Sequence, residues 1–267
     1  MGTVTSKDGT TIAFDKVGTG PAVLLVDGAM GYRGHFGQGP LAAALADRFT
    51  IMTYDRRGRG ESGDTLPYAV EREIEDIEAL IDEAGGSVYL YGLSSGAVLA
   101  LKAAARLGAA RVRKLALNEP PFDTGDDEAK QAFARYVRQM DTLLEANKRG
   151  DAVAFFMADM MPPEMIEEMR QSPDWPLMEA VASTLAYDNA VLGDAAVPVD
   201  AAQAATMPTL ILVASNSPAF KHEAVDALAR VMPHAQRKTL ALETYAFAPE
   251  VSAPALLEFF TADSAAK

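Results

Sequence analysis

Five consecutive residues, Gly92, Leu93, Ser94, Ser95 and Gly96, form a G-x-S-x-G between an apolar run and an Ala- and Leu-rich helical pattern. In that context small residues on both sides let the chain turn sharply and lift the central side chain over a sheet edge. Ser94 is therefore a nucleophile candidate. The start of the following helix offers N–H groups and the positive end of a dipole to an oxyanion forming on a carbonyl. Without a strand before it and a helix after it, the same stretch would be only a Gly- and Ser-rich turn.

The elements needed to position such a serine can be read along the chain. Residues 3–6 and 11–15 flank Lys7, Asp8 and Gly9 as a hairpin. Short apolar runs at 22–26, 51–54, 88–91, 114–117 and 210–213 suit strands buried on both faces, and a further strand is expected near 237–240. Helical patterns alternate with them at 40–47, at an acidic segment carrying Ile74, Ile77, Leu80 and Ile81 on one face, and at 95–107, 222–232 and 249–260. This rhythm predicts an α/β fold with a mostly parallel sheet flanked by helices. The strand signals stop after the strand at 114–117, and helical periods appear near 128–149, 151–161, 163–170 and 177–188. The expected division is a core of 1–118 and 199–267 with a helical cap of 119–198 inserted into it. Seven of the 12 methionines fall in that cap: Met140, Met157, Met160, Met161, Met165, Met169 and Met178. Methionine packs well into a cap core and can also repack around an irregular apolar ligand.

Composition narrows the function. The 267 residues contain no cysteine, which removes disulfide scaffolds and thiolate metal sites. Lys and Arg total 24 against 37 Asp and Glu, and a net charge of −13 repels nucleic acid and anionic lipid. No signal segment and no run of about 18 apolar residues appears, so a cytoplasmic location is expected. No metal-binding spacing or phosphate loop is present, and no cofactor is expected.

Two further segments accompany the serine motif: Asp55, Arg56, Arg57, Gly58, Arg59, Gly60, Glu61 and Ser62 after one strand, and Asp27, Gly28 and Ala29 after another. With the G-x-S-x-G, these resemble the α/β-hydrolase superfamily over essentially the whole chain, including the position of the cap. The resemblance implies an α/β-hydrolase fold and an oxyanion hole made by the backbone N–H groups of Ala29 and Ser95. Arg56, Arg57 and Arg59 are expected to hold loops through hydrogen bonds and ion pairs. Asp27 stands where relatives usually have His, either as turn architecture or as a second ionisable group in the pocket.

The sequence departs from that pattern at the base and the acid. A serine hydroxyl needs a base beside it. The superfamily places a His in the loop before the last helix, but here that loop reads Leu242, Glu243, Thr244, Tyr245, Ala246, Phe247 and Ala248, with Tyr245 in place of the His. Of the three histidines, His222 and His234 read as surface residues, whereas His35 follows the oxyanion turn and can approach the pocket. The usual acid position after the strand at 210–213 holds Ala214, Ser215, Asn216 and Ser217. Glu119 of Asn118, Glu119, Pro120 and Pro121 takes the alternative position seen in some relatives, as acid or as a structural carboxylate at the cap entrance.

Three functions are compatible with this set. The first is ester, lactone or thioester hydrolysis through Ser94 with an atypical triad of Ser94, Tyr245 and Glu119. A phenol with a pKa of about 10 is a poor base at neutral pH but a good hydrogen-bond donor. The second is therefore non-covalent opening of an epoxide, or an elimination, with Tyr245 as proton donor, aided by Tyr187 or Trp175 from the cap. The Asp-Gly turn, the Glu-Pro-Pro and the long cap are similar to a bacterial branch that includes tailoring enzymes of aromatic polyketide (antibiotic) biosynthesis. The third is a ligand-binding homologue without turnover. All three imply a small, apolar, even polycyclic organic partner, with Asp27, Met30, His35, Met157, Met161, Trp175 and Tyr187 as candidate lining, in a monomer or homodimer.

Overall fold

The computed structural model describes residues 1–123, 125–241 and 249–262. Its strands are β1 (Gly2–Thr5), β2 (Thr11–Val17), β3 (Ala22–Val26), β4 (Thr50–Tyr54), β5 (Val88–Leu93), β6 (Val112–Asn118), β7 (Thr209–Ala214) and β8 (Ala235–Leu240). They form one eight-stranded sheet in the order β1-β2-β4-β3-β5-β6-β7-β8. The first hairpin pairs antiparallel, with Thr5 opposite Thr11, and β2 runs antiparallel to β4. All remaining pairs are parallel. The fold is an α/β-hydrolase fold.

The apolar runs become central strands because they feed both faces of the sheet. In β3, Leu24 and Val26 join one core with Ile74, Ile77, Val98 and Leu101, whereas Val23 and Leu25 join another with Leu41, Leu45, Leu256 and Phe260. Helices α1 (Gly39–Leu45) and α11 (Pro249–Thr261) cover the second face. The first is covered by α2 (Val70–Glu83), α3 (Ser95–Leu107), α9 (Val199–Ala204) and α10 (Ala219–Val231). Ala97, Val98, Leu99, Ala100, Leu101, Ala103 and Ala104 are all buried, so α3 is apolar around most of its circumference, as a helix packed on several sides must be. Each fully buried Leu or Val in these clusters contributes about 2 kcal/mol from apolar burial.

Between β6 and β7 lie α4 (Asp127–Glu145), α5 (Arg149–Met157), α6 (Pro163–Arg170), α7 (Trp175–Val181), a 3-10 turn at Ala182–Thr184 and α8 (Leu185–Leu192). The period at 128–149 divides after Glu145, because Asn147 takes a φ of 53° that no helix continues. The segment expected at 177–188 likewise divides into α7, the 3-10 turn and α8. These helices share an apolar cluster of Met140, Met157, Ile166, Trp175, Met178 and Leu185, and Met30 from the core reaches into it.

Candidate active site

Sheet register gathers the site. Gly92 of β5 lies opposite Val26 of β3, and Leu93 lies opposite Asn118 of β6. Asp27, Ser94 and Glu119 are thus the first residues beyond the carboxyl ends of three adjacent strands, the edge at which open α/β sheets bind ligands. Ser94 has φ 53° and ψ −126°, a conformation that L-residues adopt only under constraint, and its N–H donates to the Asn118 carbonyl at 2.9 Å. The flanking glycines make the turn possible. A Cβ on Gly92 would collide with the Gly96 carbonyl, and one on Gly96 with the carbonyls of Val26 and Asp27. A Cβ on Gly28 would stand 3.1 Å from that of Ser94, so the turn after β3 passes directly beside the serine.

That turn is held from below by two buried guanidinium groups. Arg59 donates from Nη1 to the carbonyls of Gly28 and Gly31, at 2.5 and 3.2 Å, and Arg56 donates from Nη1 to the Asp27 carbonyl at 3.3 Å. Arg56 also makes a two-pronged pair with Glu73 of α2, both bonds at 2.7 Å, and a 2.6 Å pair with Asp188 of α8. Arg59 reaches the other oxygen of Asp188 at 2.7 Å and donates from Nε to Thr184 Oγ1 at 3.1 Å. Burial alone would raise the carboxyls of Asp188 and Glu73, but the adjacent guanidinium groups outweigh it and hold both below their ordinary values. Arg57 forms a separate cluster with Asp76, Asp8 and the Arg72 carbonyl. The three arginines therefore hold loops through hydrogen bonds and ion pairs, and two of them also clamp cap to core.

Asp27 is only 2% exposed, and its Oδ1 has no hydrogen-bond partner. Burial pushes its carboxyl up to about 7, against the pull of Arg59 and Arg56. Arg56, Arg59, Glu73 and Asp188 already sum to zero charge, so a third ionised carboxylate there is surplus. Glu119, with φ 52°, turns its carboxylate toward the loop after β7. It accepts from Ala214 N at 2.5 Å and Ser217 Oγ at 2.8 Å, and pairs with Lys221 at 3.4 Å.

The candidate lining residues divide. Met30, Met157 and Trp175 are buried in the cap cluster, with Ala29 and Met161 packed against it. Met30 does so from a φ of 63°, strained for a residue with a long side chain. The indole N–H of Trp175 donates to Glu179 at 3.0 Å. Tyr187 stacks on Tyr68 with ring centroids 3.9 Å apart and donates to Asp64 at 2.7 Å. Both cap donors are thus engaged within the protein. His35 pairs its backbone with Tyr32 and packs its ring against Phe36 at a tilt of 50°, and its Nε2 is buried without a partner. Tyr245 and its loop, 242–248, lie outside the described residues. Among the described residues no His, Asp and Glu side chains are grouped to hold a metal, and no helix is long and apolar enough to cross a membrane.

Asp188 and Glu73 are absent from the residues anticipated above. Their signal was present: Glu73 and Asp76 lie on the apolar face of α2 at helical spacing from Ile77 and Leu80, and Asp188 interrupts the largely apolar α8. Charges on buried faces require partners, and three arginines within four residues supply them.

The comparisons with known proteins agree with this geometry. A model of the alpha/beta hydrolase family matches residues 23–249. An alpha/beta hydrolase from Sphaerobacter thermophilus DSM 20745 superposes with a TM-score of 0.86 at 46% identity, over 97% of this chain and 100% of that one. A thermophilic esterase from Thermogutta terrifontis gives 0.67 at 28% identity, over 90% and 89%. An uncharacterized hydrolase, YraK, of Bacillus subtilis (strain 168) is 36% identical over 97 residues. The alignment spans about a third of each chain, 35% of either. With its sheet order, its strained serine turn and a family match over most of its length, the chain belongs to the alpha/beta hydrolase family.

Proposed function

We propose that the protein hydrolyses esters or lactones of small, apolar organic molecules through Ser94. The observation that carries this reading is the backbone of Ser94, φ 53° beyond the end of β5, with Gly28 of the neighbouring turn beside it. Strain of this kind persists where the fold over-determines it, and here it presents a hydroxyl to a carbonyl carbon at the start of α3. In the proposed reaction Ser94 Oγ bonds to that carbon as its proton passes to the Tyr245 phenolate, and the carbonyl electrons move onto oxygen, facing the N–H groups of Ala29 and Ser95. Collapse of the intermediate breaks the bond to the alkoxide, which leaves as the alcohol with the proton returned by Tyr245. Water then cleaves the acyl-serine to the acid and free Ser94. Met30, Met157 and Met161 give the acyl pocket its apolar side. Glu119 serves as the acid of the site, and Tyr245 takes the place of the histidine.

Tyr245 gives this hydrolysis its own pH signature. A phenol accepts a proton only in its ionised form, so kcat/KM for a p-nitrophenyl ester rises with pH toward about 10. A base with a pKa near 7 would instead give a plateau by about pH 8. The direct test is the intact mass after incubation with a fluorophosphonate. One adduct is expected on the wild type and none on Ser94→Ala. A folded wild type that takes no adduct overturns the reading, and Tyr245-assisted opening of an epoxide then comes first, screened with polycyclic epoxides.

A further inference from the structure

One side chain of the cap bonds directly to the serine turn and, through two arginines, to the turn after β3. Asp188 Oδ1 accepts from Ser95 Oγ at 2.7 Å, as well as from Arg56 at 2.6 Å, and Oδ2 accepts from Arg59 at 2.7 Å. Ser95 follows the nucleophile directly and is the first residue of α3. Arg56 and Arg59 in turn hold the carbonyls of Asp27, Gly28 and Gly31, the turn from which Ala29 presents its N–H. Asp188 and Ser95 are each 3% exposed, so water does not compete for these bonds. Asp188 is 93 residues from Ser95 and lies on α8, which also carries Tyr187 onto Tyr68.

We propose that Asp188 is a positioning residue: it fixes Ser95 directly and the Gly28 turn through Arg56 and Arg59, so that the two oxyanion donors are set by docking of the cap. The catalytic part of this inference rests on the Ser94 reading above. The physical argument is one of shared partners. A backbone N–H stabilises an oxyanion only when aimed at the place the charge will occupy, and an error of about 1 Å costs on the order of 100-fold. Here one carboxylate sets the side chain of Ser95 and the orientation of the guanidinium groups that set the opposite turn. Loss of the Asp188 bonds therefore misplaces both donors together, while Met30, Met157 and Met161 keep the apolar contacts of their own cluster.

The test compares wild type, Asp188→Asn and Ser95→Ala on p-nitrophenyl butyrate and with a fluorophosphonate, together with amide hydrogen exchange at 27–31 and 94–97. Ser95→Ala keeps the backbone N–H and every ion pair and removes one hydrogen bond, so it carries the kinetic arm if Asp188→Asn does not fold. The expected result is a fall in kcat and in phosphonylation rate of about 10-fold for Ser95→Ala and about 100-fold for Asp188→Asn, with KM within about threefold. Exchange at both segments should be about 10-fold faster in Asp188→Asn while the core strands stay protected. Unchanged kcat in Ser95→Ala, or a loss confined to KM, overturns the positioning role. Unchanged exchange at either segment in folded Asp188→Asn overturns the coupling. A wild type inert toward both reagents removes the Ser94 reading instead, and the exchange arm then decides the coupling by itself.

Discussion

Arg56→Met should destabilise the protein by about 3–5 kcal/mol, the cost of leaving buried charges without their partner. The guanidinium donates twice to Glu73 and once to Asp188, all within 2.7 Å, and every group involved is buried. Methionine fills much of the same volume, so the loss is electrostatic rather than a cavity. Glu73 then keeps the hydrogen bond from the Tyr68 hydroxyl at 2.8 Å, while Asp188 retains Arg59 and Ser95. For a chain of this size such a loss corresponds to a fall in Tm on the order of 10 °C. Urea unfolding of the single variant and of Arg56→Met/Glu73→Gln checks the cause. The double variant removes the orphaned charge and should be more stable than the single one. A single variant costing under about 1 kcal/mol would show that the cluster is solvated, and would remove the basis for a dry clamp between cap and core.

The pH dependence of this cluster has a definite sign. Glu73 and Asp188 are held below their ordinary values in the folded chain, so their contribution is complete above about pH 4 and is lost as pH falls through the folded values. Acid should therefore loosen the cap from the core before it disrupts the sheet faces, whose clusters are held by burial of aliphatic and aromatic side chains.

Much of the core was legible because its signals are local. Residues 95–107 are apolar nearly all round and form α3 with those bounds, and the runs at 22–26 and 51–54 lie within β3 and β4. The serine turn was equally legible, since Gly92, Ser94 and Gly96 are constrained by neighbours within a few positions and by the strand and helix that flank them. What the sequence hides is long-range pairing. Arg56 finds Glu73 at a separation of 17 residues and Asp188 at 132, and no local pattern couples those positions. The cap shows the same limit from the opposite side. Trp175 and Tyr187 read as free donors over a pocket, whereas Glu179 and Asp64 engage them, one a turn away on the same helix and the other 123 residues distant.

Asp27→Asn should stabilise the protein above neutral pH and flatten its stability profile. The carboxyl of Asp27 lies near 7 in the folded chain against about 4 in the unfolded one. The folded state thus binds the extra proton, and stability falls as pH rises from about 4 to about 7. Three units correspond to about 4 kcal/mol, an upper bound because structural relaxation lets a buried charge find partial solvation. The cause is burial first and the charge of Asp55 second, acting on a carboxyl whose Oδ1 has no partner and beside which Arg56, Arg59, Glu73 and Asp188 are already balanced. Asparagine has the shape of the protonated acid and never ionises, so the variant should match wild type near pH 4 and exceed it by up to about 4 kcal/mol at pH 8. Urea unfolding at pH 5, 6, 7 and 8 measures the slope. An unaltered slope in Asp27→Asn would mean that Asp27 is ionised throughout, paired to Arg56 or Arg59. The turn beside Ser94 would then carry a fixed negative charge, opposed to any oxyanion, and hydrolysis would have to overcome it.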